Sequence, residues 1–159
     1  MHLVFTPNHV HLITACYPSS SALLSSGPQY LPNSQELSRL TYYASNHPGK
    51  INKLGSELEK RIKTECRKAQ TGNIRAKALG VSAFFDLHDV LIFNVLRSLL
   101  ISLSISRALV TECRRDVSLL SPSLLASVNT VLSALSSDLE VAARTASVVS
   151  LGLYYCGNV

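Results

Sequence analysis

Two short stretches of the chain carry side chains able to do acid–base or metal chemistry. His9 and His11 bring two imidazoles close together, and Asp86, His88 and Asp89 combine carboxylates with a third. Such groups are the usual proton carriers and metal ligands of active sites. Spacing argues against both clusters. Residues two apart on a helix point about 200° from each other, and no third ligand lies near His9 and His11. Asp86, His88 and Asp89 are accompanied by no nucleophile and no glycine-rich loop. The four cysteines, Cys16, Cys66, Cys113 and Cys156, are spread along the chain and form no CxxC pair. The expectation is a protein with no catalytic residue, no metal and no cofactor.

The chemistry that is concentrated is charge. In KINKLGSELEKRIKTECRKAQ, Lys50 to Gln70, apolar residues recur at Ile51, Leu54, Leu58, Ile62, Cys66 and Ala69. Steps of three and four place them on one helical stripe, an arc of roughly 120°. Lys50, Lys53, Lys60, Arg61, Lys63, Arg67 and Lys68 fall over the opposite face. Glu57, Glu59 and Glu65 interrupt that charge without cancelling it. One side of this helix should pack against protein, and the other should present positive charge to water or to an acidic partner.

The composition supports a local role for that charge. The 159 residues are 47% hydrophobic, with fifteen Lys and Arg against ten Asp and Glu. Seven of the fifteen basic residues lie in this one helix. A chain of this size suits one folded domain with a real core. The N-terminal stretch has no basic n-region and is broken at Pro7, so it does not read as a signal peptide. Reduced thiols in a cytosolic setting are expected. Charges cut the apolar region from Val81 to Val110 into pieces far shorter than the ~20 residues of a spanning helix.

The elements that must position the basic helix are themselves helical. A short helix is expected over residues 7–17, capped by Thr6 with Pro7 first. Residues 18–32 read as a Ser/Pro-rich loop. Asn33 and Glu36 have capping-box spacing and open a helix that ends at Asn46-His47-Pro48-Gly49. This helix should pair antiparallel with the basic one. A break follows at Thr71-Gly72-Asn73. Residues 79–97 lack a clear period, and Val90–Phe93 leans toward strand. A buried helix is expected from Ser98, carrying Leu99, Leu100, Leu103, Ser106, Leu109 and Val110 inward. Ser121-Pro122 should start another, with Leu124, Leu125, Val128, Val131, Leu132 and Leu135 inward. Ser137 should cap a last helix, with Leu139, Ala142, Ala143, Ala146 and Val149 inward and its end at Gly152. Helix after helix with short turns predicts an all-α solenoid of armadillo or HEAT type.

The run PNSQELSRLTYYASNHPGKINKLGSELEKRIKTECRKAQTGNIRAKA resembles the N-terminal part of one family. So do LLISLSISRALVTECRRDVSLLSPSLL, SSDLEVAARTASV and the opening FTPNHVHLITACYP. The family is that of the plasma-membrane adaptors called eighty-five-requiring proteins in fungi and Rolling blackout in animals. The resemblance implies a non-enzymatic rod of helices, peripheral on the cytoplasmic face of the plasma membrane. It implies that such a protein anchors a phosphatidylinositol 4-kinase complex through a tetratricopeptide-type scaffold subunit, supporting phosphoinositide synthesis and protein localisation. Its membrane contact would be anionic inner-leaflet lipid on a basic surface, or lipidated cysteine in animal-type members.

Three departures shape the expectation. Asn8, Val10 and His11 stand where the family has basic residues, which shifts the lipid contact to Lys50, Lys53, Lys60, Arg61, Lys63, Arg67 and Lys68. Cys16 is the one candidate for lipidation, but it falls on an apolar stripe, so a core thiol is the favoured role. Residues 81–97 look like a non-family insertion, in the manner of a translated intron, and residues 150–159 like a non-family tail. The organisation read from sequence is thus an N-terminal helix to 17, a loop over 18–32, and a helical-repeat fragment over 33–149. A fragment unable to bind membrane would be cytosolic. The competing readings are an interaction module whose basic face takes an acidic protein, or an inactive truncated piece. Nucleic acid is not expected, because no aromatic is interleaved with the basic residues.

Overall fold

The computed structural model describes residues 8–18, 31–79, 85–135 and 139–156, with the backbone alone for 72–79, 85–93, 135, 139–141 and 143. Among them all regular structure is helical: α1 His9–Ala15, α2 Ser34–Asn46, α3 Ile51–Leu79, α4 Phe85–Glu112, α5 Val117–Leu135 and α6 Leu139–Cys156. Single 3-10 turns at Pro48–Lys50 and Arg114–Asp116 lead into α3 and α5.

Short polar side chains set the first helix ends. Asn8, rather than Thr6, caps α1, its Oδ1 accepting the Val10 N–H at 3.1 Å. Thr6-Pro7, most of the 18–32 loop and Ser137 lie outside the described residues. Asn33 caps α2 by accepting from the N–H groups of Gln35 and Glu36, as its spacing predicts. The Asn33 N–H donates to the Cys16 carbonyl at 2.8 Å, while Glu36 holds Arg39 at 2.9 Å. The end of α1 is therefore tied to the start of α2. His47-Pro48-Gly49 ends α2, with the His47 ring stacked on Tyr43 at 4.4 Å between centroids.

The helices stack in two layers. α1, α3 and α5 lie side by side in one, and α2, α4 and α6 in the other; the layers meet through α1–α2, α3–α4 and α5–α6. This is an all-α, helical-repeat arrangement of three hairpins. The hairpin partner of α3 is α4, not α2 as its short connection predicts. A helix of 29 residues covers its apolar stripe against another of 28, whereas the 13 residues of α2 stack on α4.

The stripe of α3 is buried at every predicted position from Ile51 to Ala69. Its first half shares one core cluster with Leu40 and Ala44 of α2, Ile101, Ile105 and Leu109 of α4, and Leu120 of α5. Farther along, Ile62 and Cys66 join Leu99, Leu103 and Val131. Buried serines of α4 stay satisfied within their own helix: Ser102 Oγ donates to the Ser98 carbonyl and Ser106 Oγ to that of Ser102.

Several expected helix limits are corrected. α3 runs through Thr71-Gly72-Asn73, since one glycine costs a helix only about 1 kcal/mol. Val90–Phe93 is helical, and α4 begins at Phe85 rather than Ser98. An apolar run without period also fits a helix covered on several sides, and no strand exists among the described residues to pair with one. Residues 85–97 are thus the first half of α4. α5 begins at Val117, with Pro122 inside it. The proline denies the Ser118 carbonyl its backbone partner, and Ser121 Oγ donates to that carbonyl at 2.8 Å instead. α6 continues past Gly152 to Cys156, and Tyr155 packs on the core under the Arg114 guanidinium, 5.0 Å from its ring centroid.

Not every apolar position faces inward. Leu125 and Leu132 of α5 are 63% and 45% exposed, and Ala146 of α6 is exposed as well. Leu120 and Ser123 face α3, and the helical wheel puts Leu125 and Leu132 on the far side of α5. Leu153 and Tyr154 of α6 are also exposed. The outermost hairpin of a solenoid presents such an apolar side to whatever stacks on it. The stretches Asn94–Glu112 and Arg114–Ala134 are long and apolar enough to cross a membrane, contrary to the sequence expectation. The first of these belongs to α4, the middle helix of its layer, which packs on α2, α3 and α6, and an apolar surface on several sides is what such packing demands.

Gly55 sets the approach of α3 to α5. A Cβ there would lie 2.9 Å from Leu120 Cδ1 and 3.1 Å from Ser123 Cβ, while one at Gly152 would meet nothing within 4 Å. Leu120 is fully buried and has no room to swing away. Overpacking costs about 1–3 kcal/mol and the helix propensity of alanine returns about 1 kcal/mol. Gly55→Ala should therefore lower unfolding stability by about 1 kcal/mol, and Gly152→Ala should raise it by somewhat less, as read by urea unfolding.

Candidate functional site

The seven basic residues from Lys50 to Lys68 divide into two groups. Three are held by glutamates one turn away: Arg61 Nε to Glu57 at 3.0 Å, Lys63 to Glu59 at 2.5 Å and Lys68 to Glu65 at 2.9 Å. These are the favourable i, i+3 and i, i+4 pairs of a helix surface. Lys50, Lys53, Lys60 and Arg67 are exposed and have no ion pair among the described residues.

Lys53, Lys60 and Arg67 are spaced by seven. Each step rises about 10 Å and drifts only about 20° around the axis. The three free cations form a straight file along the crest of α3, opposite the buried stripe. The hydroxyl residues Ser56, Thr64 and Thr71 are exposed on the same side.

Arg61 does something else. Its Nη2 donates to Thr14 Oγ1 at 2.6 Å, and its guanidinium lies 5.4 Å from the ring centroid of Tyr17. The Tyr17 hydroxyl is in turn 2.6 Å from Ser102 Oγ. Burial pushes the Tyr17 phenol up, with the Ser102 hydrogen bond and the Arg61 charge pulling the other way. Arg61 thus clamps the end of α1 to α3, and Tyr17 carries the tie on to α4.

That clamp brings His9 beside the cation file. His9, Asn52, Lys53, Ser56, Glu57 and Lys60 line an open notch of about 300 Å³ between α1 and α3. His11 is exposed. Asp86, His88 and Asp89 fall in the first two turns of α4, where the backbone alone is described. Among the described residues no group of three or more His, Cys, Asp or Glu could hold a metal ion.

Cys16 lies in the core, and its Sγ donates to the Leu12 carbonyl at 3.3 Å. Burial first, then the Glu36 charge, pushes its thiol up to about 11, against the pull of Arg61. Burial does the same to Cys66, also to about 11. Cys113 is buried beside Ser45 Oγ at 3.7 Å and is pushed up too, while Cys156 is exposed.

Sequence reasoning found the seven basic residues but not their division. The i, i+3 and i, i+4 spacing from each glutamate was the available signal. It gave no means of finding His9 next to Lys53 and Lys60, because that contact spans more than forty residues and two helices.

The fold and this surface define a helical-repeat protein with a file of unpaired cations on its first long helix. The comparisons agree on what kind. The chain is 42% identical over 146 residues to Protein EFR3 of Cryptococcus neoformans var. neoformans serotype D, covering 89% of this chain and 12% of that protein. It is 38% identical over 148 residues to Protein EFR3 of Mycosarcoma maydis, covering 88% and 12%, and 29% identical over 126 residues to that of Pyricularia oryzae, covering 79% and 8%. The chain belongs to the EFR3 family, the one its sequence resembles, and it spans about an eighth of the length of these two relatives from Cryptococcus neoformans and Mycosarcoma maydis. No family model matches the chain, and no solved structure does.

Two outcomes follow. In native protein near pH 8, a maleimide should label Cys156 first, and Cys16 and Cys66 should label only on unfolding or as the pH approaches 11; mass spectrometry of the labelled peptides reads this. Arg61→Ala should lower unfolding stability by about 1–2 kcal/mol, because it removes a charged hydrogen bond and a partly buried ion pair.

Proposed function

We propose that this chain is the membrane-facing part of a non-enzymatic peripheral scaffold on the cytoplasmic face of the plasma membrane. In this reading the crest of α3 meets anionic lipid, and the whole protein helps anchor a phosphatidylinositol 4-kinase complex through a tetratricopeptide-type scaffold subunit. The observation that carries the membrane contact is the file Lys53–Lys60–Arg67, exposed and unneutralised, with Lys50 at its start. Membership of the EFR3 family supports the scaffold role.

Magnitudes define how such a surface would work. Each Lys or Arg near an anionic leaflet contributes roughly 1 kcal/mol. Four free cations give about 4 kcal/mol, a dissociation constant near the millimolar range. Attachment through α3 alone is loose and salt-sensitive, so stable residence needs a second signal such as an apolar insertion, an acyl chain or a partner.

Vesicle co-sedimentation tests this. The triple variant Lys53→Glu, Lys60→Glu, Arg67→Glu should lose at least about tenfold in binding to anionic vesicles. The triple variant Arg39→Glu, Arg107→Glu, Arg115→Glu makes the same change in net charge on other surfaces and should bind nearly as wild type does. Raising salt from 50 to 500 mM should release the wild type. Equal binding to neutral and anionic vesicles would refute the electrostatic contact. Binding to an acidic peptide through the same crest, with vesicles ignored, would put the acidic-protein reading in its place.

A further inference from the structure

The notch between α1 and α3 has a composition that a plain positive surface does not need. Lys53 and Lys60 enter it from one side of α3, with Ser56 between them, and His9 enters from α1. Asn52 adds an amide. Its carboxylate, Glu57, is engaged by Arg61 Nε at 3.0 Å and leaves both lysines without an acid partner. The notch is built rather than incidental: the Arg61 tie to Thr14 and Tyr17, with Leu12 and Ile13 buried behind it, fixes α1 against α3.

We infer that this notch is a subsite for a phosphomonoester on a membrane lipid headgroup. The inference rests on the membrane reading above. A phosphomonoester carries about −1.5 to −2 charges near neutral pH and three terminal oxygens, whereas a phosphodiester carries one charge and two free oxygens. Two ammoniums, a hydroxyl, an amide and an imidazole N–H supply more donors than a diester accepts. The imidazole offers an N–H whether neutral or protonated. Lysine stems on either side of Ser56 are long enough to fold inward over the one turn that separates each from it. The lipid bearing such a group need be no larger than phosphatidate.

The test compares vesicles of phosphatidate with vesicles of phosphatidylserine at matched zeta potential, using the whole chain. The wild type should bind phosphatidate at least about tenfold more tightly, the gain expected of one added charged hydrogen bond. His9→Ala should erase that preference, and His9→Gln, which keeps an N–H donor, should retain part of it. Circular dichroism confirms that each variant is folded. Equal wild-type binding to both vesicles would overturn the subsite while leaving the cation file intact. Binding to neither would overturn both readings together. Saturable shifts of the His9 ring signals by micromolar glycerol 3-phosphate, without any vesicle preference, would assign the notch to a soluble phosphate and overturn the lipid assignment.

Discussion

Six side chains of α3, from Ile51 to Ala69, leave water together when the helix enters its layer. At the usual gain per buried apolar side chain this is on the order of 10 kcal/mol before conformational entropy is set against it. This burial ties α3 to α4 and α5. It fixes the rotation of α3, and with that the side on which every charged residue of the helix must stand. Gly55 refines the fit by letting α5 approach where any Cβ would collide with Leu120. The stacking of α5 on α3, and so of α6 on α4, follows from the same face.

Electrostatics then sorts what burial has placed. Acid and base stand one turn apart three times along α3, and each pair removes a cation from circulation. The pairs of Lys63 and Lys68, whose ammoniums are exposed, add little stability, so their larger effect is to define which charges remain. Among those that remain, Lys53, Lys60 and Arg67 keep the seven-residue spacing that holds them in line. Arg61 is set apart by its second set of contacts. It ends up fastening α1, and a residue counted with the lipid-facing cations on sequence grounds takes a structural position instead.

The parts of this arrangement that follow from local pattern were legible in the sequence. The α3 stripe, the Asn33 cap, the turn at His47-Pro48-Gly49 and the buried face of α4 from Leu99 to Val110 are all periodic or stereochemical signals. The misplaced helix limits share one cause. Gly72 and Gly152 read as helix ends and Pro122 as a helix start because each disfavours a helix interior, and packing or a side-chain substitute such as Ser121 outweighs that cost. Val90–Phe93 was ambiguous because a short apolar run without polar interruption carries no period that separates helix from strand. Leu125 and Leu132 were assigned inward because a solenoid helix is apolar on two sides, and the sequence does not mark which side has a partner. The notch could not be read at all, since it depends on α1 lying beside the crest of α3.

The central claim is that the crest of α3, and not another face, meets an acidic bilayer. An environment-sensitive fluorophore reports this directly. It would be attached at Lys60→Cys or, on the far side of α5, at Asn129→Cys, in a chain carrying Cys156→Ser, and mixed with anionic vesicles bearing a headgroup quencher. The account predicts strong quenching at position 60 and little at position 129. Quenching at 129 with none at 60, in protein that still sediments with the vesicles, would contradict it.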